Sequence, residues 1–265
     1  MPIGKIPWLA VSLFACSMIC SPIAIAADWQ SIVQQGDQLY SQRSESEGKK
    51  KLEDAIKKYE EALKEIPKDN KKARAGVYIG LAQADFKIAR YFVETDAAVA
   101  DYSDKGQDWA KKAIDMDSKS AEAHYWMGAN LGIWRGVNKA SFRGGLMGGG
   151  IKKEFEKAAE LDPKGLYGLP DMRIAEYLLA RGDAEKAQGY AEKAVKIAPE
   201  MLVNKIMLAE ILWKNNNQLG SKKLLNEIVS QKDDVLPGEI LENRETITRV
   251  KRVLNNIANH NEPDW

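Results

Sequence analysis

His124 and His260 are the only imidazoles in this 265-residue chain, and its two cysteines, Cys16 and Cys20, lie near the start. A four-ligand His/Cys metal site cannot be built from that set, and a Ser-His-Asp arrangement would have to use one of the two histidines. His124 stands in AEAHYWMGANLG beside Tyr125 and Trp126, with no serine or carboxylate spacing of a known site around it, so it reads as a packed or interfacial histidine. Two carboxylate pairs, Glu60 with Glu61 and Glu45 with Glu47, lie among lysines. Glycosidase chemistry needs two carboxyls facing one another across a cleft, whereas acids interspersed with lysine are expected to be solvated and to pair at i,i+4. The glycine-rich stretch 144–150, GGLMGGG, precedes a helix beginning near Ile151. Such a loop can offer backbone N–H groups to an anion, but it fits neither GxGxxG nor GxxxxGK[ST], and no predicted strand leads into it. The expectation is a non-enzymatic protein with no metal and no cofactor.

The elements that would position these residues are helices. Residues 174–199, IAEYLLARGDAEKAQGYAEKAVKIAP, carry small or apolar residues at Ala175, Leu178 and Leu179, then at Ala187, Tyr190, Ala191 and Ala194. The pattern breaks at Arg181-Gly182-Asp183 and closes at Pro199, which describes two amphipathic helices joined by a tight turn. The second-helix pattern recurs as Ala55, Tyr59, Ala62 and Pro67, as Gly106, Ala110, Ala113 and Ser118, and as Phe155, Ala158 and Pro163. Matching first helices are legible at 29–40, 73–92, 121–133, 171–180 and 201–214. A weak fifth second helix follows in Leu224, Leu225, Ile228 and Val229. After Leu236-Pro237-Gly238, residues 239–259 read as an amphipathic end helix that caps the last apolar face. The polar stretch 44–51 reads as a solvated loop within the first hairpin.

This pattern resembles the tetratricopeptide repeat (TPR) from about 29 to 230, with Pro163 and Pro199 spaced by 36 residues against roughly 34 for the repeat. The intervals from Pro67 to Ser118 and from Ser118 to Pro163 are longer, and insertions are expected there. The fold class implied is all-α: antiparallel helical hairpins stacked as an irregular TPR-like superhelix with a C-terminal capping helix. Residues 102–132, YSDKGQDWAKKAIDMDSKSAEAHYWMGANLG, with the basic glycine-rich segment and 155–163 after them, are similar to exported bacterial TPR proteins, among them the T-component of TRAP transporters. They are also similar to the TPR domain of regulator-of-microtubule-dynamics proteins. The TRAP resemblance implies a periplasmic helper that contacts a solute-binding partner and holds a hydrophobic ligand.

In a TPR array the first helices line a concave face. Aligning Gly128, Ala175 and Ala209 as one interior position places Glu122, Tyr125, Ala129, Met172, Glu176, Leu179, Ile206, Glu210 and Trp213 on that face. Mixed apolar and acidic character suits a peptide or an amphiphilic ligand, with Tyr125, Met172 and Trp213 as anchors. A second candidate is the insertion at about 133–153, where Arg135, Lys139, Arg143, Lys152 and Lys153 are basic and Trp134, Phe142, Leu146 and Met147 are apolar. Its glycines would let it close over a groove.

Residues 1–26 have a different character. Lys5 gives a positive start, 7–19 is apolar, and Ala24-Ile25-Ala26 offers an A-x-A cleavage site, so a secretory signal peptide cut after Ala26 is expected. Leu13-Phe14-Ala15-Cys16 is a competing lipoprotein box that Phe14 fits poorly. The mature domain, 27–265, would then have no cysteine. Because the chain has 39 basic and 38 acidic residues, removing Lys5 leaves it neutral. That balance suggests neither nucleic acid nor an anionic membrane as partner, and no later stretch is apolar enough to span a bilayer. The resulting expectation is a periplasmic, non-catalytic scaffold that binds another protein or a peptide segment. The alternative is an accessory of a TRAP-type transporter binding a small apolar or amphiphilic ligand.

Overall fold

The computed structural model describes residues 28–138 and 148–265, and among these there are eleven α-helices and no strand. Five hairpins follow in order: α1 (Trp29–Ser41) with α2 (Gly48–Glu65), α3 (Lys71–Tyr91) with α4 (Asp96–Met116), α5 (Ala121–Val137) with α6 (Gly148–Leu161), α7 (Leu169–Ala180) with α8 (Ala184–Ile197), and α9 (Leu202–Lys214) with α10 (Gln218–Val229). A single helix, α11 (Ile240–Ala258), ends the chain. Each helix of the array packs on the next, and first helices also meet across hairpins, α3 with α5 and α7 with α9. This is the all-α hairpin stack that the repeat pattern predicts.

Local chemistry sets the helix ends. Asp28, Asn70, Thr95, Ser120, Asp183 and Asn217 each accept a hydrogen bond from a backbone N–H in the first turn of the helix they precede. Such caps satisfy donors that the helix itself cannot. The turn at Arg181-Gly182-Asp183 works through Gly182, whose φ of 83° lets its own N–H and that of Asp183 donate to the carbonyls of Leu179 and Leu178 at 2.9 and 3.0 Å. A side chain there would be strained, which is why glycine favours this helix end.

The core follows the repeat register. Ala55, Tyr59 and Ala62, then Ala110 and Ala113, then Phe155 and Ala158, then Ala187, Ala191 and Ala194 are all buried. In the fifth hairpin Ser221, Leu225 and Ile228 occupy the same seam, so the weak pattern there is a true second helix. Tyr59 shows why small residues recur. Its ring lies so close to Gly36 and Gly80 that a Cβ on either would come within 2.6 and 3.1 Å of it, and its hydroxyl donates to Asp37 at 2.8 Å.

Two expectations about connections need correction. The stretch 44–51 is only partly a loop, since α2 begins at Gly48 and takes in 48–51. The extra length between Pro67 and Ser118 is not an inserted loop, because α3 and α4 are simply longer, at 21 residues each. At the ends of the expected insertion, 133–153, α5 runs to Val137 and α6 starts at Gly148, and residues 139–147 lie outside the described residues. Helical propensity with one more buried turn absorbs length that a spacing count assigns to loops.

Candidate functional site

The face presented by the first helices is the expected site, and the residues assigned to it separate into two groups. Tyr125, Met172 and Ile206 are buried and offer nothing to a partner. The reason is visible in each case. Tyr125 packs edge-on against Trp126 and beside Phe155 of α6, with ring centroids 4.9 and 5.8 Å away. Met172 joins the alanine seam of α8, and Ile206 lies under Val250 and Val253 of α11. Trp213 is half-buried and meets the ring of Trp265 at the chain's own end, 6.3 Å between centroids. A helix flanked by its hairpin partner and by neighbouring first helices has fewer free positions than a single helical wheel suggests.

Glu122, Glu176 and Glu210 remain accessible, though Glu210 only in part. Glu176 and Glu210, with Leu179, line a cleft of about 500 Å³ between α7, α9 and α11. Met207, Lys214 and Arg249 complete its polar and apolar walls. Arg249 reaches to 3.9 Å from Glu210, and Arg173 holds Glu176 at 2.7 Å. Burial pushes the Glu210 carboxyl above the ordinary carboxylate range, with Arg249 pulling the other way. The cleft therefore carries both signs of charge over a floor of Leu179, Ala180 and Met207.

Of the second candidate, Trp134 is buried and Arg135 half-buried at the end of α5. Both take part in interactions there. Phe142, Arg143, Leu146 and Met147, with Lys139, lie outside the described residues. His124, read as packed, does link helices: its ring nitrogens face Glu154 of α6 at 2.6 Å and the Ser118 carbonyl at 3.2 Å.

A second feature, which no sequence pattern announces, is a buried charge cluster joining the two ends of the array. Arg43, in the turn after α1, places its guanidinium on Glu242 of α11 through two hydrogen bonds of 3.3 and 3.2 Å, and donates to the Gly238 carbonyl. Lys87 of α3 lies 2.5 Å from the same carboxylate and 3.6 Å from Glu239. Both cations are about 95% buried, and Arg43 also rests over the Tyr40 ring at 4.5 Å. Burial alone would raise the Glu242 carboxyl, but Lys87 and Arg43 outweigh it and hold it well below the usual range. The partners are 199 residues apart in the chain, a separation at which no periodicity gives a signal. Among the described residues no group of three His, Cys, Asp or Glu is placed to hold a metal ion, and no helix is long and apolar enough to cross a membrane.

Stacked hairpins, small residues along the second helices and a capping end helix define a tetratricopeptide-type helical repeat. Its fold is similar to that of a thermophilic TPR protein from Thermus thermophilus, with a TM-score of 0.61 at 14% identity, covering 84% of this chain and 99% of that one. It is also similar to pilF of Pseudomonas aeruginosa, with a TM-score of 0.54 at 15% identity over 87% of this chain and 90% of that one. Residues 32–167, just over half of the chain, match the family model of regulator of microtubule dynamics protein 1-3, and the chain belongs to that family. Regulator of microtubule dynamics protein 1 of Bos taurus and that of Homo sapiens are each 27% identical over 175 residues, 58% of this chain and 53% of theirs. The chain thus spans about half the length of the curated relatives it matches.

Proposed function

We propose that this chain is a non-catalytic scaffold, exported through its leader to the periplasm, that takes a segment of another protein in the cleft between α7, α9 and α11. The observation that supports this most is the lining of that cleft. Glu176, Glu210, Lys214 and Arg249 surround Leu179 and Met207, so an extended or helical segment with an apolar anchor and flanking charges would find partners for both. The relatives are named for regulating microtubule dynamics, but an exported chain meets no microtubule. What carries over is the binding of other proteins by a helical repeat, with the target left to experiment.

A photo-crosslinking residue at Lys214 should capture a protein partner in the native host, and Glu210→Lys should abolish the adduct. Capture of the same partner with equal yield from Lys57, on the outer second helices, would exclude the cleft. Mature protein beginning at Ala27 would support export, and lipid on Cys16 would replace it with anchoring.

A second reading, a small apolar or amphiphilic ligand as in the transporter-accessory alternative, draws support from the cleft volume, which falls within the range of roughly 300–1,000 Å³ common for such sites. Native mass spectrometry of protein purified from its host separates the two, since a small molecule and a polypeptide partner add masses of very different size.

A further inference from the structure

The helix α11 has two halves held by different forces. Its second half buries Val250 and Val253 against Leu202, Ile206, Leu225 and Ile228, which is ordinary apolar capping. The buried residues of its first half are Glu242, Asn243 and Thr246, all polar, while Ile240 and Leu241 stay partly exposed. Apart from Ile247, which packs at the margin of the apolar cluster, what fixes that half is the charge cluster with Arg43 and Lys87, the donation of Asn243 to the Asp233 carbonyl at 3.0 Å, and Arg244, which reaches Asp233 at 3.1 Å and the Ser44 carbonyl at 3.4 Å. The segment leading into it, Pro237–Glu239, has no buried residue.

Ion pairs taken out of water gain little net stability, because desolvation consumes most of the Coulomb attraction, yet they discriminate strongly against a missing partner. A half-helix held in this way separates at low cost in apolar contact, provided the two cations receive carboxylates from elsewhere. We propose that the first half of α11 is a latch, and that Arg43 and Lys87 form a receptor for an acidic helical segment of a partner protein, occupied here in cis by Glu239 and Glu242. The latch itself shows the chemistry that fits: two carboxylates three residues apart at the start of a helix, both reaching one arginine and one lysine. This deepens the scaffold reading by naming the kind of partner, and it rests on that reading. Displacing the latch would also move Arg249, which lies on the same helix, away from the cleft.

The test uses the mature chain and a labelled peptide with the sequence of residues 236–249. Glu239→Gln combined with Glu242→Gln removes the cis carboxylates. Because a tethered competitor acts at roughly millimolar effective concentration, this variant should bind the peptide at least tenfold more tightly than the unaltered protein. A peptide carrying the same two glutamines should bind neither. Hydrogen exchange supplies a readout that needs no peptide: amides of 244–248 should exchange at least tenfold faster in the variant, with 251–257 unchanged. Equal peptide affinity in the two proteins, or uniform loosening of the whole array, would overturn the proposal. So would a dimer that exchanges α11 between copies, since the receptor would then serve self-association. Loss of the Lys214 crosslink with the exchange result intact would instead count against the cleft, so the two failures are distinguishable.

Discussion

The first three hairpins and the last two pack by different means. In the first region two rings from second helices rest on glycines of first helices, Tyr59 on Gly36 and Gly80, and Phe155 on Gly128, where an added Cβ would lie 2.8 Å from the ring, while α4 between them packs through Gly106, Ala110 and Ala113. In the second region the fourth hairpin packs through alanines, with Ala175, Ala187, Ala191 and Ala194 fully buried, and the fifth through Ser221, Leu225 and Ile228. The helices differ as well: α3 and α4 reach 21 residues, whereas α7 to α10 have 12 to 14. The family match, 32–167, covers both ring-on-glycine contacts and stops before the fourth hairpin. A ring seated over glycine admits only one separation of the two helices.

The sharpest test of the contrast is removal of a ring. Phe155→Ala and Tyr59→Ala should each cost about 3–5 kcal/mol, because no neighbouring side chain can fill the space over the glycines. Urea denaturation would measure it, and a loss below about 1 kcal/mol would mean that the rings are not what sets the helix spacing.

Buried acids give the next comparison. Asp171, in the second region, is paired with Lys193 at 2.9 Å. Asp85, in the first, is buried with one carboxylate oxygen unpartnered. Burial raises the Asp85 carboxyl to about 7, against the pull of Lys105 and the Trp109 indole and with the push of Glu60 and Asp101. A raised acid is protonated in the folded chain where the unfolded chain is already ionised, so folding stability declines as pH rises from the unfolded value to about 7 and is flat above it. Asp85→Asn should remove this decline, raising stability at pH 8 relative to pH 5 by about 3 kcal/mol compared with the parent. Thermal melting at the two pH values decides it, and parallel shifts in both proteins would show that Asp85 is ionised in the fold.

Overpacking the alanine seam should cost less. Ala187→Leu and Ala194→Leu are each expected to lose about 1–3 kcal/mol, with loosening of the adjoining hairpins, since each repeat contacts only its neighbours. Unchanged melting temperatures would refute the seam. The smallest effect belongs to a helix cap: Asp183→Ala, which removes the acceptor for the Lys186 N–H, should cost about 1 kcal/mol. A larger loss than that of the alanine variants would mean that the turn, not the seam, organises the fourth hairpin.

The amino-acid sequence by itself determined the hairpins, their order and their register. Small residues at a helical period, caps such as Ser120 and Asp183, and the Gly182 turn are local signals whose meaning does not depend on the rest of the chain. Aligning Ala175 with Ala209 assigned Glu176 and Glu210 to one expected face, and the structure places both on the wall of a single cleft. Only the tertiary structure decided that Tyr125, Met172 and Ile206 are covered, since that depends on how α6, α8 and α11 approach. It alone brought Glu239 and Glu242 to Arg43 and Lys87. A charge on a helix face looks the same in sequence whether it meets water or a partner 199 residues away, and only the path of the chain through the whole array distinguishes the two.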